Sequence, residues 1–258
     1  MPVSTTPFPV KINMAVVSTK PTANPKATLQ GEQKARYVQG MFSRIARRYD
    51  LMNVLMSFGQ DEAWRRFAVN RARPQRGGLA LDVATGTGKI AQSMAHRGAI
   101  AVGIDFCAPM MVQGRNEGVG AGEPVFFAGG DALSLPFADG TFDSVTTGFA
   151  MRNVTDIEGA FREMVRVTKP GGRIVCLEVG KPRWAITRLF HQVYTRGVMP
   201  LMGKLIVGDG DAYSYLPNSM GKFPPPEELA RIMIRAGVRN VRWKQLTFGA
   251  VAIHWGEK

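Results

Sequence analysis

The residues with most chemical content stand between Asp82 and Asp105. A short apolar run, Leu79 to Val83, carries Asp82 and then breaks into Gly86-Thr87-Gly88. Glycines there allow positive φ and let a ligand approach the backbone closely. A helical pattern begins at Lys89, and a helix start leaves N–H groups unpaired. Asp105 closes the next apolar run, Ala101 to Ile104, at about the 20-residue spacing of a ribose-binding carboxylate. Two acids around a glycine bend thus place a nucleoside-type cofactor on the first crossover of a parallel α/β sheet.

Two cofactors fit that spacing. Gly86-x-Gly88-x-x-Ala91 matches the dinucleotide fingerprint, a weak signal alone. Asp82-x-x-x-Gly86-x-Gly88 resembles the loop of class I S-adenosylmethionine-dependent methyltransferases. A carboxylate at the mouth of the loop would repel a pyrophosphate and suit an ammonium or sulfonium. Asp82 therefore favours the methyl donor, and a nicotinamide-dependent reductase is the alternative.

The elements that must hold these residues alternate strand and helix. Strands are expected at Leu79–Val83, Ala101–Asp105, Pro124–Ala128, Phe142–Phe149 and Arg173–Val179, with Lys169-Pro-Gly-Gly172 as the turn into the last. Helices are expected near Lys89–Arg97, Ala108–Glu117 and Ile157–Thr168. Val241–Thr247 and Ala250–Trp255 read as a closing hairpin, after a helix over Glu227–Ala236 with Pro at its start and Gly237 as its stop. This is the pattern of a doubly wound, mostly parallel seven-stranded sheet with right-handed crossovers. Ligands then sit at the carboxyl ends of the strands. Asp82, Asp105, Asp131, Gly148 and Glu178 all fall at or just past such ends.

Before the sheet, Val38, Met41, Phe42, Ile45 and Tyr49 recur at helical spacing. Asp50-Leu-Met-Asn53 reads as an interruption before a second helix carrying Trp64, Phe67 and Val69. Residues 1–31 hold no acid and no periodicity and read as a disordered tail, leaving 32–258 as one domain. Residues 183–222 depart from the alternation. Their greasy helical stretch with basic edges reads as a lid over the cofactor edge, and such a stripe also suits lipid.

With 258 residues and 45% apolar composition, burial suffices without staples. Cys107 and Cys176 read as buried hydrophobes in a reducing compartment. Histidines 96, 191 and 254 are scattered, and no metal site is expected. No run approaches the ~18 apolar residues of a membrane span. The net charge of +13 comes without any nucleic-acid motif and favours an anionic membrane surface over nucleic acid. A cytoplasmic protein loosely on the membrane is the expectation. A homo-oligomer is compatible with the sequence, which does not fix it.

Longer motifs sharpen the reading. Arg48-Tyr-Asp-Leu-Met-Asn53, Met56-Ser-Phe-Gly59, Met151-Arg-Asn-Val-Thr-Asp156, Gly130-Asp-Ala132 and Asp211-x-Tyr213-x-Tyr215-Leu216 resemble the ubiquinone/menaquinone biosynthesis C-methyltransferases (the UbiE/MenG family) over roughly residues 38–256. The resemblance implies C-methylation of a polyprenylated quinol by S-adenosylmethionine. It implies cofactor contacts from Thr87, Asp105, Asp131 and Ala132, besides Asp82, Gly86 and Gly88 of the loop. Gly148 stands where the family has a serine, so one hydroxyl contact is missing. Lys89 replaces the usual acid after the glycines. Both departures keep a non-catalytic cofactor-binding protein as a third reading.

The reaction needs an in-line methyl group and stabilisation of a quinolate. The resemblance suggests that Arg152 and Asn153 belong to the active site. A guanidinium is no ordinary base near neutrality, so Arg152 is expected to stabilise the phenolate electrostatically. The alternative for Arg152 is a salt bridge to a strand-end acid such as Asp156. Tyr49, Asp209, Asp211, Tyr213 and His191 are candidates for the base, each more readily explained by a structural role.

Overall fold

A computed structural model describes residues 31–120, 122–182, 185–202, 215 and 219–258. The expected tail, apart from Gly31, lies outside the described residues, as does much of the expected lid, 203–214 included.

Seven strands form one sheet in the order β3-β2-β1-β4-β5-β7-β6. They are β1 (Leu79–Val83), β2 (Ile100–Asp105), β3 (Val125–Gly129), β4 (Phe142–Gly148), β5 (Thr168–Val179), β6 (Arg239–Leu246) and β7 (Val251–Glu257). The first five run parallel, and β7 pairs antiparallel with both β5 and β6. The expected mostly parallel, doubly wound class I methyltransferase sheet is what forms. Strand order reverses between β1 and β4, so the loops after these two strands part and open a crevice.

Helices α2 (Asp61–Ala72), α3 (Lys89–Ala95), α4 (Ala108–Asn116), α5 (Ile157–Val167) and α8 (Pro226–Arg235) pack on the sheet, whereas α1 (Gly31–Ser57) packs on α4 and α2, and α6 (Ala185–Val193) and α7 (Met199–Met202) pack on the Tyr194–Val198 segment between them. Strand side chains alternate between the faces. Ile174 and Cys176 pack with Phe161 and Met164 of α5 and Met233 of α8. Val175 and Leu177 pack with Val69 and Ala72 of α2 and Met94 of α3. Burying each such large apolar side chain contributes roughly 1.5–3 kcal/mol.

Three local expectations change. Asp50 to Asn53 does not interrupt the first helix. α1 runs 27 residues and stops only where Phe58 (φ 53°) and Gly59 (φ 73°) turn left-handed. Asp50 is tolerated inside the helix because it serves the glycine turn across from it. Lys169-Pro-Gly-Gly172 is not a turn before β5 but its bulged first half. Phe142 pairs with Thr168 and Ser144 with Arg173, so the irregularity is absorbed within one ladder. Asp156 is occupied as the N-cap of α5, accepting from the Gly159 N–H at 2.8 Å. It is not the partner of Arg152.

Candidate functional site

The glycine bend is built from below. Asp82 is 1% exposed. Its Oδ2 accepts from the Thr85 hydroxyl at 2.6 Å and its Oδ1 from the Thr146 hydroxyl at 2.8 Å. Burial pushes this carboxyl up to about 6, against the pull of those two donors. Asp82 therefore sits beneath the loop and fixes its shape, where the sequence had suggested a charge at the mouth. Gly88 opens α3 with φ 84°, and a Cβ there would meet the Phe127 ring at 2.6 Å. Only glycine satisfies both the left-handed backbone and that contact.

Asp105 closes the bend from the next strand. Its Oδ2 accepts from the Gly86 N–H at 2.7 Å, and its Oδ1 from the Cys107 N–H at 2.8 Å. Burial raises this carboxyl as well. Thr87 points elsewhere: its hydroxyl donates to Asp50 of α1 at 3.0 Å. Lys89, the departure from the family pattern, bridges Asp50 (3.4 Å) and Glu117 (3.3 Å). Lys89 and Thr87 together clamp the glycine turn between α1 and the end of α4.

Above the bend opens a cavity of about 850 Å³. Gly86, Asp105, Asp131, Ala132 and Gly148 line it, as the sequence suggested, and Asn153 does too. Asp82, Thr87 and Gly88 lie behind its wall. Val38, Phe42 and Tyr49 of α1 form the opposite side. Asp131 accepts from the Leu133 N–H at 2.9 Å, which folds the segment after β3 along the cavity. Gly148 leaves room for Ile90, whose Cδ1 would lie 2.5 Å from an added Cβ. The described lining includes two carboxylates, Asp105 and Asp131, and no lysine or arginine. Such a wall favours a cationic ligand over a diphosphate. Its carboxylates and apolar flank suit S-adenosylmethionine, with Asp105 and Asp131 as hydrogen-bond acceptors.

A second cavity, of about 700 Å³, lies beyond Phe149, which lines both. Phe149 has φ 56°, a strained backbone for an aromatic residue, and its ring meets Trp64 edge-on at 6.2 Å. Asn53, Met56, Trp64, Arg152 and Tyr194 line this space. Arg152 is 7% exposed by side chain and pairs with the fully buried Glu178, Nη1 to Oε1 at 2.6 Å. Glu178 also accepts from the Arg152 backbone N–H at 3.2 Å and from the Val179 N–H at 2.8 Å. The Arg152 Nε–H has no partner among the described residues. Asn153 instead faces the first cavity and accepts from the Tyr215 hydroxyl at 3.3 Å.

Of the suggested bases, Tyr49 lines the first cavity, bonded to Asn53, with burial raising its hydroxyl. Asp209, Asp211, Tyr213 and the side chain of His191 lie outside the described residues. Sequence reasoning did not single out Asp61, which also lines the second cavity. It accepts from the Ser57 hydroxyl at 3.0 Å and pairs with Arg65 at 2.7 Å. The spacing of Asp61 and Arg65, one helical turn apart on α2, was a signal for that pair. Glu178 offered no comparable signal, because its partner lies 26 residues away.

Residues 29–258 match the ubiE/COQ5 methyltransferase family. The chain is 49% identical to a demethylmenaquinone methyltransferase of Roseiflexus castenholzii, over 88% of this chain and 95% of that one. It is 47% identical to one of Thermus thermophilus, over 84% of this chain and 100% of that one. A ubiquinone/menaquinone biosynthesis C-methyltransferase of Desulfotalea psychrophila is 44% identical, over 86% and 90%. Among solved structures, a SAM-dependent methyltransferase from Thermotoga maritima, described as a possible histamine N-methyltransferase, aligns with a TM-score of 0.61 at 21% identity, over 85% of this chain and 99% of that one, a likeness of fold. An acid-lined cavity at the switch point of this sheet, and sequence identity across nearly the whole length of such relatives, lead to one conclusion: the chain belongs to the ubiE/COQ5 methyltransferase family.

Proposed function

We infer that this protein is a C-methyltransferase that moves a methyl group from S-adenosyl-L-methionine to the ring of a polyprenylated quinol. One observation carries the reading: two cavities of opposite character meet at Phe149, one walled by acids, the other holding a buried guanidinium with an unspent donor. The cofactor supplies an electrophilic methyl group next to a positive sulfur. Asp105 and Asp131 orient it by accepting hydrogen bonds, and the apolar wall excludes water. In the second cavity Arg152 donates to the ring oxygen as its proton leaves, which stabilises the charge that flows to the ring carbon. Glu178 holds that guanidinium in place. As the methyl group departs from what is then a neutral thioether, the ring carbon loses its proton and the ring oxygen regains one, so the product gains one methyl group in place of one hydrogen and one proton is released. The described part of 183–222 contributes Tyr194, Thr195 and Met220 to this cavity, consistent with a lid over the acceptor.

A demethylmenaquinol is the preferred acceptor, since relatives bearing that name reach 49% and 47% identity. A methoxy-benzoquinol is the second reading, favoured by the relative named for both pathways at 44%. A nicotinamide-dependent reductase is disfavoured by the acid-only charge of the first cavity. A cofactor-binding protein without activity loses its main support, because Lys89 is tied to Asp50 and Glu117 and does not obstruct the cavity. The test is incubation with isotopically labelled S-adenosylmethionine and each demethylated quinol under reducing conditions. A labelled product of the expected mass from one of them supports the reading. No label in either, from protein that binds the cofactor, would refute it.

A further inference from the structure

The rim of the second cavity carries an apolar surface that neither the core nor the reaction explains. Among the described residues, seven of the fourteen exposed large apolar side chains lie on three elements around this one opening. Leu51, Val54 and Phe58 follow one another at three- and four-residue steps along the end of α1. Ile186, Leu189 and Val193 repeat that spacing on α6. The two helices meet where the Tyr194 hydroxyl donates to the Met56 carbonyl at 2.9 Å and the Phe58 and Tyr194 rings lie 5.8 Å apart. The third element is the β6–β7 turn, held to the α1–α2 turn by Thr247, which donates to Gln60 at 2.8 Å. Met56 of α1, Tyr194 directly after α6 and Ala250 of the β6–β7 turn also line the cavity. Apolar side chains scattered singly on a surface need no explanation, but a contiguous group around one opening does.

Two of these residues are doubly unfavourable. Phe58 (φ 53°, 74% exposed) and Phe248 (φ 53°, 80% exposed) hold a left-handed backbone that aromatic residues avoid, and neither ring gains full burial in return. Strain with so little burial in return points to use of the rings outside the fold. Charge indicates the partner. Arg44, Arg47 and Arg48 are exposed within two turns before Leu51 on the same helix, and the chain as a whole is +13. Basic residues beside an apolar stripe match the interface of an anionic bilayer.

We propose that Phe58, Phe248 and the α6 stripe insert into an anionic lipid surface, so that the second cavity opens directly onto the bilayer. The proposal rests on a lipid-borne acceptor entering that cavity. A prenyl tail then stays in lipid while the ring moves past the rim, and no hydrocarbon crosses water.

The test is flotation of the full chain with vesicles of phosphatidylcholine alone and with about a quarter phosphatidylglycerol. Binding is expected to the anionic vesicles, weakening with salt. Phe58→Asn and Phe248→Asn suit the decisive variants, because asparagine accepts positive φ. Each should melt no lower than the parent while binding anionic vesicles about tenfold more weakly. Turnover of a vesicle-embedded, long-prenyl demethylated quinol should fall with binding, and turnover of a short-chain soluble quinol should not. Failure of the parent to float, or variants that float like it, would overturn the docking face. So would a dimer, seen by sedimentation, that the two substitutions split, since the patch would then be a self-interface. Failure to methylate the soluble quinol would count against the proposed activity and leave the flotation result standing.

Discussion

The two cavities share one edge of the sheet and one side chain, Phe149, yet they are built by different means. The first rests on backbone turns faced by α1. Its floor is the glycine bend after β1, its side is the turn after β2, and both are pinned by the same carboxylate, Asp105. The second is made of side chains from distant segments, and its charged groups come with buried partners, Arg152 with Glu178 and Asp61 with Arg65. In the proposed reaction the first answers a cation with acids that hold no ion pair among the described residues. The second would offer a developing anion a guanidinium already neutralised from behind, so that the fold buries no uncompensated charge there. A methyl donor and its acceptor need this asymmetry, because positive charge leaves one partner as negative charge is consumed on the other.

The largest expected effect tests whether the second cavity depends on its buried pair. Glu178→Ala leaves a guanidinium buried without its carboxylate, and chemical denaturation should show a loss of about 3–5 kcal/mol. An unchanged midpoint would mean that the pair is not structural. Next, Arg152→Ala should lower kcat by about 100- to 1000-fold while calorimetric affinity for S-adenosylmethionine stays within about twofold. Equal losses in both would erase the division of labour between the cavities.

The two acids of the first region can be told apart. The Asp82 carboxyl is raised in the fold to about 6, so its contribution favours the native state below the unfolded value near 4 and is lost as pH rises through 6. Asp82→Asn should remove a pH dependence of up to about 3 kcal/mol between those limits, read from melting curves, without altering cofactor affinity. Asp105→Ala should, in addition to any effect on stability, weaken the cofactor by about 1.5–3 kcal/mol in calorimetry. Matching responses from both would mean that Asp82 also reaches the ligand. The smallest effect concerns Gly148→Ser, which crowds Ile90 and should cost about 1 kcal/mol. Adding Ile90→Val should return that loss and tighten cofactor binding by about 1 kcal/mol through the restored hydroxyl. No gain in affinity would place residue 148 outside cofactor contact.

Much of the first cavity was readable in the chain because it is local. A strand, a glycine bend and a helix start occupy eleven consecutive residues, Leu79 to Lys89, and Asp105 and Asp131 follow at strand ends that hydrophobic patterning locates. What misled was direction. Asp82 and Thr87 stand in the right segment, but their side chains turn inward to Thr85 and Thr146, and outward to Asp50. Side-chain direction in a left-handed bend depends on neighbours from other elements, which spacing does not record. The continuity of α1 was hidden for the same reason: Asp50 and Asn53 look like breakers until Thr87, Lys89 and Tyr49 are brought against them.

By itself, then, the order of residues determined the sheet, its crossovers, the glycine bend and the family, since each depends on periodicity or on short-range backbone geometry. Only the tertiary structure decided which acids line the cavity, that Glu178 rather than Asp156 holds Arg152, and that three separate turns and helices ring one opening with exposed apolar side chains. Those choices depend on contacts between residues far apart in the chain, where burial and charge pairing are set by what the folded sheet brings together.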